Sequence, residues 1–390
     1  MRKILKNVNK IARRIKAKLV RGVIIGILGF SSLNYPTYNF AEKLTINKTP
    51  KNLILMIGDG MGSEHIKAAG IYLNGLEKTL YFESFPYHSL MSTYSADNSI
   101  TDSAASGTAM ACGIKVNNGV VSKRIPGNNE DLETILEYCK KIGKSTGLVT
   151  TSYITDATPA VFAAHSINRY DNTEIANDYF TQTTPNVLLG GGGKGVTISA
   201  AENVGYVVIT DKNGLQTLDT ENITHISGQF GSSYMPYEYD GTNNLPHLSE
   251  MAISALKVLN NDPDGYFLMV ESGRIDHAAH NNDIIRDIYE LIEFENTIKK
   301  VDEHSNDEDT LIIVTADHET GGLKVLKNNG AGNFPDVSWS TNWHTSQKVD
   351  VYGHGSKSDL IDRIKDNTQI YSIMKEAISS CLKNNWQLYN

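Results

Sequence analysis

Three cysteines in a chain of 390 residues, Cys112, Cys139 and Cys381, cannot build a disulfide framework. An odd number closes at most one pair, and the sequence does not say which. Long hydrophobic runs are missing too: the most apolar stretch, Val23 to Phe30, falls far short of the about 20 residues that cross a bilayer, so no stable transmembrane anchor is expected. There is no internal repeat and no low-complexity tract, which leaves a globular domain, with 40% hydrophobic residues to fill its core. Basic charge is scarce beyond the first 41 residues. Those hold nine Lys or Arg and no acid, and without them 27 cations face 44 anions, a net of −17 against −8 for the whole chain. A body that acidic argues against nucleic acid as a main partner, because phosphate backbones are held by basic patches.

The basic head followed by Val23–Phe30 has the order of the n-region and h-region of a signal peptide. Residues 1–41 are therefore expected to be a leader, cleaved after Ala41, and the protein exported; Asn39 is a poor small-residue match at the −3 position. An uncleaved basic leader lying on an anionic membrane is the alternative. Residues 42–390 read as one large domain. Short apolar runs without polar alternation, Leu53–Ile57, Gly147–Thr151, Val187–Leu189, Tyr206–Ile209, Tyr266–Val270 and Leu311–Thr315, are expected of parallel strands covered on both faces. Between them, Asp131–Lys141 and Asp283–Asp302 place apolar residues on one face at helical spacing. The predicted fold class is α/β, a predominantly parallel central sheet flanked by helices on both faces. Residues 327–346 read as a small insertion or long loop. Gly190–Gly193 before Lys194 lacks the first Gly and the Ser/Thr of a phosphate loop, and reads as a strand exit.

Chemistry concentrates where strands end. Leu53–Ile57 runs into Asp59, Tyr266–Val270 into Glu271, and Leu311–Thr315 into Asp317-His318, and the carboxyl ends of an open parallel sheet form its ligand crevice. Arg274-Ile275-Asp276-His277-Ala278-Ala279-His280 puts Asp276 and His280 one turn apart if helical, as two ligands of one metal must be. Mixed carboxylate and imidazole suits zinc or another divalent first-row ion. Thr101-Asp102-Ser103-Ala104-Ala105 opens a run of small residues. It predicts a helix, capped by Thr101, whose uncrowded first turn presents Ser103 beside free N–H groups. With no His nearby in sequence, activation of Ser103 falls to a metal. After Asp156-Ala157-Thr158-Pro159 a helical run is expected to reach His165 and Arg169, whose planar fork suits a phosphoryl group.

These segments, with Gly58-Asp59-Gly60-Met61-Gly62 and His344-Thr345, resemble in order and content the alkaline phosphatase family, from about Lys51 to Gly355. The resemblance implies a phosphomonoesterase of broad specificity and alkaline preference. Asp276, His280 and His344 would hold one Zn2+; Asp59, Asp317 and His318 a second that also binds Ser103; and Asp59, Thr158 and Glu271 one Mg2+. Arg169 would bind two phosphate oxygens while Ser103 attacks in line to form a phosphoserine. Asp156 with His277 matches neither of the family's usual pairings, which leaves the identity of the third metal open. Only 25 residues separate His318 from His344, where relatives often carry a crown over a dimer, so a homodimer is less firmly implied. Two alternatives remain: a phosphodiesterase or nucleotide pyrophosphatase on the same metal scaffold, against which Arg169 argues, and an exported metal- or phosphate-binding protein without turnover, which leaves Ser103 without a role.

Overall fold

A computed structural model describes residues 48–385. The leader and its cleavage point lie outside the described residues. Thirteen strands are present among these: β1 (Asn52–Gly58), β2 (Tyr87–Met91), β3 (Ser145–Tyr153), β4 (Val187–Gly191), β5 (Val207–Ile209), β6 (Ile226–Phe230), β7 (Tyr266–Ser272), β8 (Thr310–Thr315), β9 (Glu319–Thr320), β10 (Lys324–Lys327), β11 (Asp336–Ser338), β12 (His344–Thr345) and β13 (Val349–Gly355). Nine of them form one sheet in the order β2-β13-β8-β1-β7-β3-β4-β6-β5. From β8 to β5 every pairing is parallel; beyond β8, β13 runs antiparallel to both β8 and β2, and β2 forms that edge. The predicted α/β class with a mostly parallel sheet and flanking helices is the observed one. The central strands β1, β7 and β8 are apolar because they are buried on both faces.

All six predicted strands exist. The sequence reading missed three strands of this sheet, β2, β6 and β13, and each has a physical reason: β2 alternates buried and exposed residues, so it offers no continuous apolar run. In β6, Gly228 interrupts the apolar run where a Cβ would lie 2.6 Å from both Leu189 and the Phe230 ring, so neighbours fill the space that a side chain would otherwise take. In β13 the run is broken by Asp350 and His354, whose partners are His88 and Asp302 at the sheet edge. The Gly190-Gly191 pair ends β4, and a Cβ on Gly191 would sit 1.9 Å from the Ser233 carbonyl, which is close packing rather than a phosphate cradle.

Helices start where side chains can cap them. The first helix expected at Asp131 begins at Ile135, because Thr134 and Glu137 form a capping box there. The long helix Ile284–Glu303 is capped by Asp283, whose side chain accepts from the N–H groups of Ile285 and Arg286. Ser103–Cys112 packs against Ala157–Ala163 so closely that a Cβ on Gly107 would meet Val161 at 2.7 Å. That second helix stops at Ala163, and the expected run to Arg169 is corrected: residues 164–171 are irregular, with Arg169 tied by its N–H to the Gly119 carbonyl. Residues 327–346 are no bare loop. They carry β11, which pairs with β10, and β12, which pairs with β9. No helix among the described residues is long and apolar enough to cross a membrane.

Candidate active site

Register brings the chemistry together. β1 lies between β7 and β8 with Ile57 opposite both Glu271 and Thr315, so Asp59, Glu271 and Asp317-His318 emerge at one edge of the sheet. The N–H groups of Gly60 and His318 both donate to Asp317 Oδ1, fixing that carboxylate. Helix Arg274–His280 follows β7 directly and sets His280 Nε2 3.3 Å from Asp276 Oδ2. The short β9–β12 pairing then lays His344 against the same helix, its Nε2 3.2 Å from His280 Nε2 and 3.6 Å from Asp276 Oδ1. His318 Nε2 lies 3.5 Å from Asp59 Oδ1 and 3.2 Å from Asp317 Oδ2. Two ligand groups result, Asp276-His280-His344 and Asp59-Asp276-His318, each with its donor atoms within 4.8 Å of one another. Asp276 belongs to both.

Ser103 opens helix Ser103–Cys112, and the cap is Asp102 rather than Thr101: Asp102 Oδ1 accepts from Ala105 N at 2.9 Å. The Ser103 hydroxyl is 3.3 Å from His318 Nε2, so an imidazole distant in sequence is adjacent in space. The second oxygen of Asp102 accepts from Arg169 Nη1 at 2.9 Å and from Gly119 N at 3.1 Å, while Arg169 Nη2 reaches Asp156 Oδ1 at 3.4 Å. Burial opposes the Arg169 charge, but Asp156 and Asp102 outweigh it and hold the guanidinium protonated. Ser103, Asp156, Arg169, Asp276, His277, His280 and His344 line one cavity of about 560 Å3. Thr158 and Glu271 sit behind it, both almost fully buried, with the hydroxyls of Thr150 and Thr158 donating to Glu271.

The charges in this cluster are out of balance without a cation. Burial, then the neighbouring charges of Asp317 and Asp276, push Asp59 well above the usual carboxylate range; burial and Asp276 lift Asp317 to about 6. Burial raises Glu271 to about 8 despite its threonine hydrogen bonds, with Asp156 adding repulsion. Asp59 Oδ1 and Asp317 Oδ2 are buried and accept no hydrogen bond. Acceptors crowded in this way, with imidazoles beside them, suit a divalent cation. Burial and His344 press His318 well below its ordinary range, which makes it a weak proton acceptor with its lone pair free for a metal. His277 is different. Arg274 Nη1 lies 2.8 Å from its Nδ1, and burial keeps the ring neutral, so Nδ1 accepts from the guanidinium, and the ring lines the cavity.

Residues 50–335 match the family model for alkaline phosphatase. The chain belongs to the alkaline phosphatase family. It is 36% identical to alkaline phosphatase 3 of Bacillus subtilis (strain 168) over 80% of this chain and 71% of that one, and 31% identical to the human tissue-nonspecific isozyme over 84% and 74%. Its fold matches the alkaline phosphatase from the Antarctic bacterium TAB5 with a TM-score of 0.75 at 28% identity, covering 85% of this chain and 99% of that one. A cold-active alkaline phosphatase from a Shewanella species matches equally well, with a TM-score of 0.75 at 28% identity over 84% of this chain and 99% of that one. The chain is thus an enzyme of a metal-dependent family that hydrolyses phosphate monoesters, and it carries candidate metal-binding groups of its own.

The predicted residues of the alkaline phosphatase pattern all converge. His165, singled out beside Arg169, does not: its ring nitrogens lie against the Ser122 carbonyl and Glu137, away from the cavity. Four contributors were missed. Asp102 both caps the Ser103 helix and holds Arg169, and its place directly before a small-residue run was a readable signal. The Thr320 hydroxyl donates to Asp276 at 2.5 Å, and Tyr153 and Tyr234 line the cavity wall; none of the three has a sequence signature.

Proposed function

We propose that the protein cleaves phosphate monoesters through a phosphoserine on Ser103, with two Zn2+ and one Mg2+. The observation that carries the reading is the position of the Ser103 hydroxyl. It lies at a helix N-terminus, 3.3 Å from His318, in one cavity with Arg169 and the Asp276-His280-His344 group. The donor sets fit the metals. Asp276, His280 and His344 would hold one zinc, Asp59, Asp317 and His318 the second, and the all-oxygen set Asp59, Thr158 and Glu271 magnesium. Asp276 belongs to both candidate groups and would contribute a carboxylate to either. Bound there, zinc would supply the Lewis acidity that holds a serine oxygen deprotonated at neutral pH and above.

The chain's own groups then divide the work. The helix N-terminus favours negative charge at Ser103. Arg169 is fixed by Asp102 and Asp156 with its planar fork at the cavity, oriented for two non-bridging oxygens of a dianionic phosphoryl group. His277, an Nε2–H donor, adds a hydrogen bond on the Asp156 side. Ser103 attacks phosphorus as the ester P–O bond breaks, and the alcohol leaves on the opposite side. Water entering from the open cavity hydrolyses the phosphoserine, frees inorganic phosphate and restores the Ser103 hydroxyl. Export by the 1–41 leader completes the reading, and rests on the leader's basic-then-apolar order.

The test is steady-state phosphate release from an aryl monoester and an aryl diester, at neutral and alkaline pH, with and without a chelator. Chelator-sensitive monoesterase activity rising toward alkaline pH, with the diester far slower, is the expected result. Dominant diester cleavage would contradict the role given to Arg169.

A further inference from the structure

Fourteen large apolar or aromatic side chains stand out as exposed among the described residues, and four of them, Ile100, Tyr170, Tyr234 and Trp343, line the single cavity that holds Ser103. Trp343 is 74% exposed, the most of all. Such an indole normally sits on a mobile tip. This one does not, because the backbone around it is fastened on both sides: Trp343 O accepts from Gly321 N, Trp343 N donates to the Thr341 hydroxyl, His280 Nδ1 bonds Asn342 O, and His344-Thr345 is already in β12. A held, solvent-facing ring at the mouth of a polar cavity offers a face to something that enters it.

The direction of the reaction says what that is. From Ser103 a row of rings leads outward. His318 Nε2 is 3.3 Å from the Ser103 hydroxyl, His344 stacks on His318 with centroids 3.5 Å apart, His280 Nε2 meets His344 Nε2 at 3.2 Å, and Trp343 stands edge-on to His280 at 5.9 Å. Exposure rises along the row from the buried His318 to Trp343, its most exposed member. In-line displacement sends the leaving group away from the nucleophile, so that group departs toward the indole.

We infer that Trp343 is a specificity-determining residue, selecting monoesters whose leaving group carries a planar ring, such as nucleoside monophosphates. A cavity of about 560 Å3 has room for one. Ring stacking on an exposed indole raises kcat/KM for such esters by about tenfold, chiefly through KM. The inference rests on the phosphomonoesterase reading.

The experiment compares 5′-AMP with ribose 5-phosphate, which share the ester and the leaving 5′-oxygen and differ by the base. The ratio of their kcat/KM values is measured in the wild type, Trp343→Ala and Trp343→Phe. A wild-type preference for AMP that falls about tenfold in Trp343→Ala, and is largely restored in Trp343→Phe, is the expected result. A ratio that does not move in Trp343→Ala overturns the inference, including the case where both esters slow together because Trp343 only steadies His344 or packs against a second copy of the chain. Failure of the underlying reading shows differently: the wild type then releases no phosphate from ribose 5-phosphate at all.

Discussion

The roles proposed for Ser103 and Arg169 are separable, and single changes tell them apart. Ser103→Ala removes the attacking oxygen and leaves the surrounding carboxylates and imidazoles in place. It is expected to lower kcat by about 1,000-fold or more while elemental analysis still finds the wild-type metal content. Full activity in that variant would sink the assignment of the nucleophile. Arg169→Ala strips a charged pair of donors from the phosphoryl group, and hydrogen bonds to charged groups are worth roughly 1.5–3 kcal/mol. Its kcat/KM for monoesters should drop about 10- to 100-fold, inhibition by inorganic phosphate should weaken in parallel, and Arg169→Lys should not restore the planar contact. Inhibition by phosphate at wild-type strength in Arg169→Ala would place the anion elsewhere. His280→Ala or His344→Ala should lose zinc, and unaltered zinc in either would show that the ligand set is wrong.

In the proposed mechanism helix Ser103–Cys112 joins stability and function through its cap. Asp102 gives one oxygen to Ala105 N and the other to Arg169 and Gly119. Asp102→Ala loses the cap, at about 1 kcal/mol of stability by thermal or urea unfolding, and also frees Arg169. Asp102→Asn keeps an acceptor for Ala105 and weakens the hold on Arg169, so it should recover stability more than KM; equal recovery of both would deny the second role. The same element marks what could be read before the structure. The helix and Ser103 in its first turn were legible because a run of small residues leaves a local signature, although the cap fell on Asp102 and not on Thr101. Asp59, Glu271, Asp276, His280, Asp317 and His318 were legible because they come after apolar runs in order. Arg169 was placed on a helix that ends six residues earlier, since Ala164 turns extended and only the tertiary contact with Gly119 fixes the Arg169 backbone. The closeness of His318 to Ser103 and the support of Asp276 by Thr320 come from sheet register, which no local pattern encodes.

Across the whole molecule, charge balance decides the response to metal and to pH. Asp59, Asp276, Glu271 and Asp317 repel one another in a buried space, so cations bound there would stabilise the fold. Metal at a thousandfold excess over its Kd contributes roughly 4 kcal/mol, and chelation should lower the unfolding temperature together with the activity. An unfolding temperature indifferent to chelator would mean that the cluster holds no ion. A second buried charge lies away from the cavity. His65 sends one ring nitrogen to Asp287 at 2.8 Å and the other to the Thr320 carbonyl and Glu319, joining helix Ser63–Asn74 to helix Ile284–Glu303 and β9. Burial works against its charge, but Asp287 and Glu319 overcome that and raise its pKa to about 10, above the about 6.5 of an unfolded chain. The stabilisation is therefore complete below about 6.5 and lost as pH rises through about 10. The stability gap between wild type and His65→Gln should be wide at pH 7 and narrow at pH 10.5, and a gap independent of pH would contradict an imidazolium at this position.

In the proposed mechanism Ser103 carries the phosphoryl group between substrate and water, and the decisive experiment is to catch it there. The full-length, metal-replete enzyme is turned over on a radiolabelled phosphate monoester, quenched in acid, digested, and mapped by mass spectrometry. At most one labelled phosphate per chain is expected, on the peptide containing Ser103. Label on another residue, or a burst of product with no phosphoserine under conditions where substrate is consumed, would show that Ser103 is not the carrier.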